Sequence, residues 1–145
     1  MALLACMLSA GSRGAFAQVA DSAKTDTLTT LSKVYSTLQA EKGKTVHGVA
    51  CLSCHKPAEF SGEKFWSLYV GRPLSEMFLY IKKEMPQDNP ASLSDDEYAS
   101  LTAYILQLNT MPPGELPLPG DSTALAKIRV VPPGLPDTSR KGPRR

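Results

Sequence analysis

Cys51-Leu52-Ser53-Cys54-His55 decides how this 145-residue chain is read. Two thiols three residues apart at a helix end reach the two vinyl groups along one edge of a porphyrin, and the imidazole that follows then lies beneath the iron. Other uses of the pair fit less well. A dithiol redox centre wants its cysteines at the start of a helix that follows a strand, and no βαβ pattern surrounds these two. A four-ligand zinc site needs a further donor, and outside the N-terminal leader only His47 remains. A disulfide across two residues closes a loop too small to stabilise much. The expectation is one covalently attached haem c, with thioethers at Cys51 and Cys54 and His55 as proximal ligand.

Towards the N-terminus, Ser36-Thr37-Leu38-Gln39 matches a capping box, with Tyr35 and Ala40 placed as a hydrophobic staple, so a helix is expected from Thr37 to about Val49. Residues 18–34 are rich in Ser, Thr, Asp and Lys and lack an apolar period, which reads as a flexible lead-in. Ahead of them, Ala2 to Leu8 is a short apolar run and Ala15-Phe16-Ala17 a small-x-small cleavage pattern. Residues 1–17 are therefore expected to be an export signal, and the protein to be periplasmic. Leu3-Leu4-Ala5-Cys6 also resembles a lipobox, so lipid anchoring at Cys6 is the alternative. No run approaches the 18 or so apolar residues of a transmembrane helix.

Beyond the cysteine pair, residues 52–64 read as loop. Phe65, Trp66, Leu68, Tyr69 and Val70 cluster, and Leu74, Phe78 and Ile81 define one face of a helix that ends near Lys83. Pro86 then removes a backbone donor and pushes Met85 into extended geometry. Ser94-Asp95-Asp96-Glu97 is a strong helix start, with acidic groups over the positive end of the dipole. Tyr98, Leu101, Ile105 and Leu108 continue it as one stripe to about Asn109. Eight of the 12 prolines fall at or after Pro112. The folded unit is accordingly expected over residues 35–113, followed by an extension over 114–131 with a helical turn near Ser122 to Arg129. A disordered basic tail is expected over 132–145. The fold class is all-α.

Candidates for the sixth iron ligand are Met77, Met85, Met111 and His47. Met77 lies mid-helix, where a methionine is commonly core filler, and Met111 lies beyond the last long helix. Met85 sits in a non-helical loop from which a side chain projects into a pocket without disturbing a helix ladder, and it is the favoured ligand. Thioether sulfur favours ferrous iron, and a filled coordination sphere leaves no open site for oxygen chemistry. Electron transfer then follows.

These residues resemble a class I cytochrome c domain. Gly43, His47 and Cys51 keep that family's spacing in its first helix, with His47 standing where an aromatic is usual. Leu101 and Tyr104 suit the pair through which its last helix crosses the first, and small Gly43 permits the close approach. The stretches Gly71-Arg72-Pro73-Leu74, Met85-Pro86 and Ser92 to Tyr98 are similar to cytochrome subunits that accompany quinoprotein alcohol dehydrogenases. The resemblance implies a place for Arg72 near the haem, pairing with a propionate, with Trp66 and Tyr80 as further donors to that group.

A formal charge of +2 selects no partner, and no basic stripe interleaved with aromatics points to nucleic acid. The expected role is an electron carrier, not an enzyme, reduced by a dehydrogenase and oxidised by another cytochrome or an oxidase. Two rivals stand beside it. One is a haem subunit of an assembled dehydrogenase, with the Pro-rich C-terminal arm wrapped on another subunit. The other is a haem sensor or peroxidase with an open sixth site.

Overall fold

Two serines start the two longest helices of the computed structural model, which describes residues 28–134. Ser36 Oγ accepts from the Gln39 amide at 3.2 Å and opens α1, Thr37–Ala50. Ser94 opens α4, Asp95–Leu108, with both halves of the capping box made: Ser94 Oγ accepts the Glu97 amide at 3.3 Å, and Glu97 Oε2 accepts the Ser94 amide at 2.8 Å. That reciprocal bond satisfies two otherwise orphaned amides and draws the Glu97 carboxyl below its usual pKa, chiefly through the Ser94 amide.

The helices α1 and α4 cross at backbone contact. A Cβ on Gly43 would lie 1.9 Å from the Ser100 carbonyl oxygen and 2.9 Å from Tyr104 Cβ. No side chain larger than hydrogen fits there, so Gly43 sets the spacing of the crossing. On α4 the residues from Tyr98 to Leu106 are all buried.

Between these two lie a 3-10 turn at Pro57–Phe60, α2 at Glu63–Tyr69 and α3 at Leu74–Glu84. Gly71, with φ +75°, turns the chain between α2 and α3. Met85 caps α3 in extended geometry, φ −132° and ψ 148°, as the following proline requires, and the Met85–Pro86 peptide is cis.

The remainder departs from expectation. Residues 112–131 return across the domain and bury Leu118, Leu125, Ile128 and Val130 in the same core as Tyr35, Phe78 and Leu106. A short helix α5, Ser122–Leu125, packs on α3, and β1 (Leu28–Thr29) pairs in parallel with β2 (Ile128–Arg129). Polar links hold this return. The Gln39 side chain pairs with both backbone groups of Leu118, at 2.8 and 2.7 Å, instead of closing the capping box on Ser36. Tyr35 donates its hydroxyl to the Met111 carbonyl at 2.7 Å. The Val130 amide donates to Arg72 O at 3.0 Å, while its carbonyl accepts from the Gly71 amide at 2.8 Å. Residues 28–34 of the expected lead-in join the same structure, with Thr29 and Thr30 buried. The folded unit thus does not close soon after Pro112: proline-rich segments lack repeating secondary structure, yet isolated apolar side chains along them still gain by burial. The expected leader, the lead-in up to residue 27 and the tail from residue 135 lie outside the described residues.

Candidate functional site

The end of α1 runs into the cysteine pair without a break. The Cys51 and Leu52 amides both donate to the His47 carbonyl at 2.9 Å, and the Cys54 and His55 amides donate to Cys51 O at 3.1 and 2.8 Å. Residues 51–55 therefore continue the end of α1 as a tight turn, from which both cysteines and His55 line one cavity. Cys51 is half-buried, and burial pushes its thiol pKa up; Cys54 is exposed.

A cavity of about 870 Å³ opens against this turn, a size suited to a large cofactor. Its walls take Cys51, Cys54 and His55 from the turn, Phe65, Leu68 and Tyr69 from α2, and Met77, Tyr80 and Ile81 from α3. Met85 and Leu93 come from the loop after α3, and Leu101, Tyr104 and Ile105 from α4.

The sequence candidates separate on this geometry. Cys51, Cys54, His55 and Met85 all line the cavity. Met77 lines it too, but from the first turn of α3 and 1% exposed, as a wall residue. Met111 is buried in the core away from it, with its carbonyl bound to Tyr35. Arg72 does not join them in the lining. Its guanidinium is exposed and pairs with Glu76 at 3.1 Å along the first turn of α3. The backbone bond from Val130 fixes residue 72 where this helical i,i+4 pair is the partner in reach. Trp66 likewise stands outside the lining, packed edge-on against Phe65 at 4.9 Å, whereas Tyr80 does line it.

His47 lies where an aromatic was expected, 4% exposed, between the rings of Phe60 (5.6 Å) and Tyr104 (5.7 Å). Its Nε2 has no hydrogen-bond partner. Burial is the main force holding its pKa below the ordinary histidine value, outweighing a backbone contact with His55 that pulls the other way.

Three features escaped the sequence. Glu59, one helical turn past His55, brings Oε2 to 3.5 Å from His55 Nδ1 while its other oxygen accepts the Lys56 amide at 2.9 Å. Asn109, the C-cap of α4, bonds Phe60 O at 2.8 Å and the Gly62 amide at 3.2 Å, tying the wall beside His55 to α4. Tyr98 donates its hydroxyl to the Met85 carbonyl at 2.8 Å. A His-x-x-x-Glu spacing was visible beforehand; the two long-range bonds had no local signal.

Residues 38–105 match the family model described as cytochrome c oxidase, cbb3-type, subunit III. The match supports a class I cytochrome c domain over that segment. Its fold is the mainly helical one expected, and its cofactor is covalently bound haem c. The donor chemistry fits that group: two free thiols with the required spacing, an imidazole and a thioether share one mostly apolar cavity. The domain is that of an electron-transfer haem protein, which works through redox partners. Comparison with curated proteins and with solved structures finds no match. No helix among the described residues is long and apolar enough to cross a membrane.

Proposed function

We propose that this chain is an exported, periplasmic one-electron carrier in which Cys51 and Cys54 anchor the haem ring and His55 and Met85 hold the iron. The observation that carries the reading is the convergence of those four side chains, from two separate elements, on one cavity. When bound, haem supplies a reversible one-electron couple, and His/Met ligation sets that couple high relative to two imidazoles. The protein's own part is to hold both ligands in place and keep water from the ring. Phe65, Leu101 and Ile105 line the wall with apolar surface, and all three are buried. Exposed Leu52, Leu68 and Tyr80 beside the opening give partners an apolar surface on which to dock. We assign a dehydrogenase as donor and another cytochrome or an oxidase as acceptor.

A second reading is favoured by the matched family model, whose description is that of an oxidase subunit: the chain serves as a haem subunit within an oxidoreductase assembly. Mass spectrometry and redox titration test the common core. The haem-matured protein should retain one haem mass after acid and acetone extraction and titrate as a single one-electron couple. Cys51→Ser combined with Cys54→Ser should release all the haem on extraction. Haem retained by the double variant would refute the thioether assignment. Co-purification with one stoichiometric partner would select the assembled form over the free carrier.

A further inference from the structure

The loop that carries Met85 is open to solvent along most of its length. Residues 87–92 are all exposed, and among the described contacts its backbone is held within itself and to α3 only by Asn89 N to Pro86 O at 3.0 Å and Ala91 N to Lys82 O at 3.1 Å. Lys82 and Asp95 add an exposed ion pair across the loop's base, which contributes little. Yet Met85 itself is pinned on both sides of its Cα. Its amide donates to Ile81 O at 2.9 Å, the last turn of α3, and its carbonyl accepts the Tyr98 hydroxyl at 2.8 Å, from the first turn of α4. The same hydroxyl stands 3.5 Å from the Leu93 amide, at the far end of the loop.

Tyr98 is unusual among the stripe residues of α4. Tyr98 is 0% exposed and packs edge-on to Phe78 at 6.5 Å, so its ring serves the core as a phenylalanine would. Burying a phenol stabilises only if the hydroxyl finds a partner, and this one finds the peptide of the ligand residue.

We propose that Tyr98 is a positioning residue for the sixth ligand, its hydroxyl latching the Met85 carbonyl so that the Met85 side chain is kept on the cavity. This rests on the reading of Met85 as an iron ligand. The latch works through populations. An external ligand reaches the iron only when the Met85 loop has swung away, so its apparent affinity is scaled by the fraction of protein in that open state. In the closed state without the phenol, the Met85 carbonyl loses its partner, whereas in the open state water satisfies it. Loss of the hydroxyl therefore favours opening.

The test is imidazole binding to the ferric, haem-loaded protein, read in the Soret band, for wild type, Tyr98→Phe, Met85→Ala and Val130→Ala. Tyr98→Phe should bind imidazole about tenfold more tightly than wild type, the factor set by one buried hydrogen bond. Val130→Ala removes core packing by a residue that neither lines the cavity nor bonds to the loop, and should lower the denaturant midpoint while leaving imidazole affinity at the wild-type value. Wild-type affinity in Tyr98→Phe, or equal tightening in Val130→Ala, overturns the latch. Met85→Ala separates the two readings, because without a displaceable thioether it should bind imidazole more tightly than any other form. If Met85→Ala instead binds as wild type does, the ligand assignment falls and the latch with it. Should Tyr98→Phe not accumulate, 3-fluorotyrosine at position 98 in the otherwise wild-type protein gives the same answer. Its fluorine resonance should shift when imidazole binds, and an unmoved resonance overturns the proposal.

Discussion

The α1/α4 crossing and the two ligand-bearing segments are built on opposite terms. At the crossing, Gly43 and Ser100 meet backbone to backbone, and Tyr98 to Leu106 are buried without interruption. The turn of residues 51–56 and the loop of residues 86–92 lie largely at the surface, held by a small number of backbone hydrogen bonds. The crossing is held by backbone packing, and side chains of α4 reach from it to the ligand-bearing side: Asn109 bonds Phe60 and Gly62 beside the cysteine turn, and Tyr98 bonds Met85. Changes at the crossing should therefore alter stability, while changes in the segments should alter ligation with little effect on the fold.

Gly43→Ala strikes the crossing hardest. Its Cβ has no room beside the Ser100 carbonyl, the helices must separate, and denaturant unfolding should show a loss of at least about 3 kcal/mol, at the upper end for overpacking. Unchanged stability would mean that the helices do not cross at this point. Leu125→Ala comes next and asks whether the C-terminal return belongs to the rigid half. Its side chain is fully buried, so the same melt should lose about 2–3 kcal/mol. A loss below ~0.5 kcal/mol would return residues 112–131 to the status of a loose arm.

His47→Phe sharpens the comparison from the other direction, since it removes the one orphaned polar side-chain atom among the described residues at the edge of the crossing. A gain of about 1 kcal/mol is expected. The sign with pH is fixed by the lowered pKa. A buried histidine that resists protonation binds fewer protons when folded than when unfolded, so the wild type loses stability as pH falls below about 6.5 and on towards the folded-state pKa. The advantage of phenylalanine should grow over that interval and level off above it. An advantage that is flat between pH 5 and 8 would show that the imidazole has a partner in solution.

Legibility in the sequence followed the same division. Local chemistry was readable: the Ser94 capping box, the extended Met85 before a proline, the start of α1 at Thr37 and the cysteine spacing all stand where the chain alone put them. The small residue at Gly43 came from the family resemblance, and the close approach it implies is present. What failed depends on partners far away in the chain. Gln39 fits a capping box by its neighbours, yet Leu118, 79 residues on, offers its amide two backbone bonds at once. Arg72 was placed by resemblance, and its local pair with Glu76 is a partner that the resemblance does not include. The buried leucines of the C-terminal return have no period to announce them, and their prolines argued against structure. Tyr98 was read as one more stripe residue, since nothing in a helix pattern reveals where a hydroxyl points.

On the proposed ligation, Met85 from the exposed loop closes the iron opposite His55. The direct measurement is the near-infrared absorption of the ferric, haem-loaded protein, where methionine sulfur bound to iron gives a weak band. That band should be present in wild type and absent in Met85→Ala, with far-ultraviolet circular dichroism unchanged. A band that survives Met85→Ala, or that wild type never shows, rules out Met85 as the sixth ligand.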